Sequence, residues 1–299
     1  MRALDDHAEP RTDGVQSQRG LLANAWRGLK GASPSAWFGV IVVLLYVSVA
    51  LLAPVLAPYG ESEIVSPQAY APWSDKFIFG TDQLGRDLLS RLIYGARNTI
   101  GIALLSTILA FALGGALGIL AALWGKTFDL LLSRLVDALM AVPQLIFVLI
   151  LLSVFGNSIP CLILVVAALT ATQVFRLARS VAMNVVVMEY VEDARLRGEG
   201  LVWIVSREIL PNILPTLIAE FGMRFCFVFL TFSALSFLGL GIEPPTADWG
   251  SMVRESASLI SYGDITPLLP AGAIALLTVA VNFVVDWFLH SASGLRDEH

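Results

Sequence analysis

Runs of about twenty apolar residues, separated by short polar breaks, recur along most of this 299-residue chain and leave it few architectures. A helix rising 1.5 Å per residue needs about 20 residues to cross a hydrocarbon core of roughly 30 Å. Lipid offers no partner to a backbone amide, so each run has to satisfy its own hydrogen bonds as a helix. Six spans are expected, at about residues 36–56, 99–124, 138–155, 159–177, 213–238 and 268–289. The fold class is therefore all-α integral membrane. Residues 1–35 and 291–299 read as tails flanking a membrane domain at 36–290. With 57% hydrophobic and 14% charged residues, the chain is too apolar for an ordinary soluble globule.

Proline and glycine punctuate these spans. Pro54 and Pro58 end the first, while Pro143 and Pro160 lie near span starts, where a missing amide costs little. Gly114, Gly115 and Gly118 offer a small-residue face for close helix contact. An even number of spans puts both termini on one side. Thirteen of the nineteen Lys and Arg residues fall on the side of the tails, five on the other, and Arg224 lies within a span. The positive-inside rule makes the thirteen cytoplasmic, although the basic run Arg86 to Arg97 argues weakly the other way. The first 34 residues lack the apolar core and small-residue cleavage site of a secretory signal, and Leu21 to Leu29 are expected as an interfacial helix.

Little in the chain carries reaction chemistry. Cys161 and Cys226 sit in separate apolar segments, and His7, His290 and His299 are scattered, so neither a disulfide framework nor a metal site is expected. Gly125-Lys126-Thr127 lacks the upstream glycine of a phosphate loop, since position 120 is Leu. No Gly-x-Ser-x-Gly or His-Glu-x-x-His occurs, so no catalytic residue and no resident cofactor is expected. The chain reads as a non-enzyme, and nothing in it points to nucleic acid.

Polar segments carry what organisation remains. Tyr190 to Arg197 reads as a short helix, Gly198 as a break, and Leu201 to Leu210 as a second helix stopped by Pro211, which makes a helical hairpin outside the membrane. Between the first two spans, Leu84, Leu88 and Leu92 recur every four residues, with Asp87 and Arg91 at the same spacing on another face. That pattern predicts a helix lying on the outer surface. Glu220 and Arg224, four apart in the fifth span, share one face at membrane depth. They either line a pathway or form a structural ion pair. Asn282 and Asp286 are expected to be solvated near the end of the last span. The glycines and paired prolines of Ala234 to Met252 call for a bent re-entrant or rim structure.

The hairpin resembles the "EAA" coupling loop of ABC-importer permeases. Glu192, Asp193, Ala194, Gly198 and Leu210-Pro211 fall on that spacing, with Asp193 standing where the family usually has a small residue. Tyr190-Val191 and Pro211-Asn212 are similar to the dipeptide/oligopeptide branch. So are Gly80-Thr81-Asp82 with Gly85-Arg86-Asp87, and Ala234 to Met252 with Pro244, Pro245, Trp249 and Gly250. The resemblance covers most of the chain from Phe79 onward. It implies a permease subunit in the bacterial inner membrane, forming a peptide pathway with a second permease and fed by an extracytoplasmic solute-binding protein. Two ATP-binding subunits, or one fused ATPase, would carry ATP and Mg and receive the hairpin at Tyr190, Glu192, Asp193, Ala194, Gly198, Leu201, Leu210 and Pro211. Glu192 would cap or orient the hairpin helices, the plainer reading being a helix N-terminal charge. The plainer readings of the other motifs are an ordinary connecting hairpin, a solvated linker helix and an outer loop with an interfacial Trp. Similar permeases serve nickel and other small solutes. A proton-coupled secondary transporter would also use intramembrane Glu and Arg, but no internal repeat is visible here. A structural or assembly membrane protein would not need the coupling-loop spacing.

Overall fold

The structure is a computed structural model that describes residues 33–293. The interfacial helix expected at Leu21 to Leu29 lies outside these residues, as does most of both tails. The first helix, α1 (Pro34–Leu51), begins where the Ser33 hydroxyl accepts the Ala36 amide and Pro34 takes the first position. A short α2 (Ala53–Leu56) follows, then α3 (Leu88–Trp124), α4 (Lys126–Met140), α5 (Gln144–Phe155) and α6 (Ile159–Val186). After α7 (Glu189–Leu196) the chain turns into α8 (Leu201–Trp203), which runs through a π-helical segment, Ile204–Ile209, into α9 (Leu210–Phe237). The last helices are α10 (Trp249–Ser256) and α11 (Leu268–Ser293).

Among the described residues, five helical runs are long and apolar enough to cross a membrane, or six if α4 and α5 form one broken span. The third expected span, 138–155, is thus corrected: α4 and α5 meet at a bend of 86°. Pro143 supplies the cause, because it has no amide to donate and pushes the residue before it out of helical geometry. At 12 residues α5 is about 18 Å long, so it cannot span the core alone.

A second correction concerns the outer-surface helix expected around Leu84 to Leu92. Asp87 is instead the N-cap of α3, its carboxylate accepting the Ser90 amide at 2.8 Å, and the helix runs 37 residues from Leu88 without interruption. Leu84 lies in a turn before it, where Asp82 Oδ1 accepts the Leu84 and Arg86 amides at 2.8 and 2.9 Å. A short carboxylate side chain that bonds nearby amides competes with helix formation.

Close approaches set the helix order. A Cβ on Gly114 would meet the Ala171 carbonyl at 2.4 Å and one on Gly118 the Phe175 carbonyl at 2.7 Å, so α3 and α6 run parallel with their backbones in contact. Gly115 faces open space and plays no part in that contact. Gly39 meets the Ala280 carbonyl, and Phe38 lies edge-on to Phe283, while Tyr46 lies edge-on to Trp249. Helix α1 therefore starts, and α11 finishes, at the end of the bundle that carries α7 and α8.

Candidate functional site

At that end the hairpin is fixed to the bundle by its inner face. Val191 and Ala194 of α7 and Ile204 and Ile209 of the π segment are buried with Ile119 of α3, Ala178 and Ala182 of α6, and Ile213 and Leu217 of α9. Each buried Val or Ile contributes about 1.5–3 kcal/mol relative to exposure, enough to hold the hairpin to the bundle as one body. The outer face is open: Tyr190, Glu192, Asp193, Leu196, Leu201, Val202, Leu210 and Pro211 are all exposed. Leu196 and Val202 each keep 80% of their surface. Asp193, the departure from the family pattern, lies on this open face beside buried Ala194, so its charge stays in water.

The turn is a Schellman motif. Gly198 N–H donates to the Arg195 carbonyl and Glu199 N–H to the Ala194 carbonyl, with Gly198 at φ +80°. Two readings of the hairpin are corrected. Pro211 does not stop the second helix, which continues as α9 to Phe237. The π segment just before it widens the turn and leaves room for a proline ring that would otherwise press on the carbonyl four residues back. Nor does Glu192 cap: it sits exposed in the first turn of α7 and its carboxylate makes no hydrogen bond among the described residues, which leaves the plain helix-charge role.

Roughly 40 Å along α3, the two far-end motifs close on each other. Trp249 is buried to 2%, its indole N–H donating to the Leu92 carbonyl at 2.9 Å and its amide to Thr99 Oγ1 at 3.2 Å. It is a core residue and not an interfacial one. Gly95 and Gly250 admit this packing, for a Cβ on Gly95 would strike the Trp249 ring at 2.8 Å and one on Gly250 the Ser233 carbonyl at 2.3 Å. Asp248 caps α10 through the Ser251 amide. The 244–245 peptide is cis, and Arg91 Nη1 reaches the Pro245 carbonyl at 3.5 Å.

Buried charges sit beneath that contact. Asp82 Oδ2 binds Arg86 Nε at 2.6 Å and lies 3.4 Å from Arg91 Nε, and Glu255 Oε2 lies 3.7 and 3.4 Å from the two guanidinium groups. Arg91 thus pairs with Asp82 and Glu255, and not with Asp87 as its spacing predicted. Glu255 escaped the sequence reading because its partners are more than 160 residues away. Burial, then the carboxylates of Asp82 and Glu255, push the nearby Tyr70 phenol above its ordinary value. Thr81 and Gly80 complete the loop: the Thr81 hydroxyl accepts the Ala71 amide, and a Cβ on Gly80 would strike the Ala71 carbonyl. Gly85, at φ +78°, lies just as close to the Ser66 carbonyl.

Between the two ends runs a polar chain through apolar helices. Arg224 Nε binds Glu220 Oε1 at 2.5 Å, which makes them an ion pair, and Arg224 Nη1 donates to Gln173 Oε1 on α6. Gln173 donates to Gln144 Oε1 at 3.0 Å, and Gln144 to Thr170 Oγ1 at 3.3 Å. The chain joins α9, which is continuous with the hairpin, to the first residue of α5, immediately after the bend. Gln144, Thr170 and Gln173 were missed; an amide inside the apolar run 159–177 was the available signal. A second link, Asp129 with Arg179, ties α4 to α6. Asn282 and Asp286 are exposed.

Known proteins are similar to this chain in sequence along most of its length. Residues 114–291 match the family model of the binding-protein-dependent transport system inner membrane component, and residues 20–72 that of the N-terminal TM domain of oligopeptide transport permease C. The chain is 32% identical over 297 residues to the di/tripeptide transport system permease protein DppC of Pseudomonas aeruginosa, covering 97% of this chain and 95% of that one. It is 30% identical over 268 residues to the dipeptide transport system permease protein DppC of Haemophilus influenzae, covering 88% of each. To the dipeptide transport system permease protein DppC of Alkalihalophilus pseudofirmus it is 29% identical over 259 residues, covering 87% and 83%. The chain therefore belongs to the family of binding-protein-dependent transport system inner membrane components, as a multi-pass inner membrane protein.

Proposed function

We propose that this chain is a permease subunit of an ABC importer for dipeptides or oligopeptides, with the hairpin and both termini in the cytoplasm. The observation that carries the reading is the hairpin: its inner face is fixed to three membrane helices, its outer face is exposed, and its second arm is the start of α9. A force applied by an ATPase to Leu196, Leu201 and Val202 passes into α9 without crossing a flexible joint. From α9 it reaches α6 and the α4–α5 bend through Arg224, Gln173 and Gln144. ATP and Mg belong to the partner ATPase subunits, and this chain contributes no catalytic group. A second permease completes the pathway beside α5, α6 and α9, and the far-end module faces the solute-binding protein. The names of the relatives support peptide as cargo.

The test is purification of the tagged chain from its own membrane, identification of the subunits that come with it, and reconstitution in liposomes with the binding protein. ATP-dependent accumulation of labelled dialanine, with two ATPase subunits or a fused one present, is expected. Accumulation of nickel but no peptide, or uptake driven by a proton gradient without ATP, would overturn the proposal.

A further inference from the structure

Between α4 and α6 lies a cavity of about 340 Å³, lined by Ser133, Asp137, Phe175, Arg176, Arg179 and Ser180. That is within the roughly 300–1,000 Å³ of small-molecule sites. Two features of its charge distinguish it from an ordinary helix seam. Arg179 is committed to Asp129, but among the described residues the Arg176 guanidinium has as hydrogen-bond partner only the Met140 sulfur at 3.8 Å. The Asp137 carboxylate is exposed and makes no hydrogen bond or ion pair among the described residues, although its charge is felt by Arg179. One cation and one anion therefore share a cavity without an ion pair between them. The remaining lining supplies two hydroxyls and a buried aromatic floor.

The position fits a path. Thr170, Gln173, Arg176 and Ser180 follow a 3-3-4 spacing that keeps them on one face of α6. The first two belong to the Glu220–Arg224–Gln173–Gln144 chain and the last two line the cavity, so the cavity begins one turn nearer the hairpin than that chain does. A solute passing the polar chain toward the hairpin end meets this cavity next.

We propose that the cavity is a release site for short zwitterionic peptides, in which Arg176 takes the terminal carboxylate and Asp137 the terminal ammonium. The inference rests on the peptide-importer reading and assigns the residues that reading leaves open. A two-residue peptide separates its charges by up to about 7 Å. The Ser133 and Ser180 hydroxyls can serve its main-chain amide, and Phe175 an apolar side chain. A binding mode limited to the termini would suit a carrier of peptides with many side chains. A lone anion would gain from Arg176 but be opposed by Asp137, and a lone cation the reverse, so a molecule carrying both charges is favoured over either.

The test uses the whole importer in phosphatidylcholine nanodiscs without ATP. The chain lacks Cys161 and Cys226 and carries Ser180→Cys, and its reaction with an impermeant thiol reagent is timed. Dialanine is expected to slow the reaction, while N-acetyl-dialanine amide, which has neither charge, does not. In Arg176→Gln and in Asp137→Asn, the dialanine concentration for half-protection should rise about tenfold, the factor for one charge-assisted hydrogen bond. Arg176→Lys should keep most of the protection. Equal protection by the capped peptide would overturn the site, as would protection by glycerophosphoethanolamine matching that by dialanine, which would make it a lipid-headgroup groove. So would no protection in a complex that accumulates dialanine normally. A complex that accumulates no peptide at all would overturn the peptide reading, and this site with it.

Discussion

Gly198 shows how much can rest on one residue without a side chain. Its φ of +80° is needed for the Schellman bonds, yet a Cβ there would meet nothing within 4 Å, so the constraint lies in the backbone and not in packing. Gly198→Val should therefore cost upwards of about 1–2 kcal/mol locally, whereas Gly198→Asn, which tolerates this conformation, should be nearly neutral. In reconstituted importers the Val variant is expected to assemble normally but to lose most substrate-stimulated ATP hydrolysis and uptake, with the Asn variant keeping both. Equal activity of the two would reduce the hairpin to a connector. At the other polar node, Glu220→Gln should lower the melting temperature in detergent by leaving Arg224 short of its counter-charge. The loss should fall below the roughly 3–5 kcal/mol of a fully buried pair, because the side chains of Arg224 and Glu220 keep 24% and 16% exposure. Glu220→Gln with Arg224→Met should recover part of that loss, and strictly additive effects would show that the pair is not coupled.

Among the elements, the far-end module shows two separated motifs acting as one. Asp82 is its centre, serving the amides of Leu84 and Arg86, the Arg86 guanidinium and, more distantly, Arg91. Glu255 makes only the longer contacts of 3.4 and 3.7 Å. Thermal unfolding should therefore fall much further for Asp82→Asn, by the order of 3–5 kcal/mol, than for Glu255→Gln. Comparable losses would mean that the Asp82 turn does not organise the loop. Arg86 and Arg91 of the basic run are both matched by carboxylates. The helix from Leu201 to Phe237 makes a related point: its π segment lets Pro211 stand inside a continuous arm, where isolated proline rules place a stop.

For the whole molecule, the exposed ends give the test of orientation. In a chain lacking Cys161 and Cys226, Ser258→Cys should react with an impermeant thiol reagent from outside intact cells, and Val202→Cys only after the cytoplasmic side is opened. The reverse pattern would invert the bundle. Apolar runs were legible because lipid imposes a length and a composition on any spanning helix, and the hairpin was legible because a glycine turn and its flanking pattern are local in sequence. Long-range choices were not. That Arg91 pairs with Glu255, that Gly118 and not Gly115 meets α6, that Gln173 bridges Arg224 to Gln144, that α4 and α5 turn by 86°, and that a cavity lies between α4 and α6 were settled only by the tertiary structure. The physical reason is that one sequence period fits several partners, and which of them a side chain meets depends on how helices far apart in the chain are brought together.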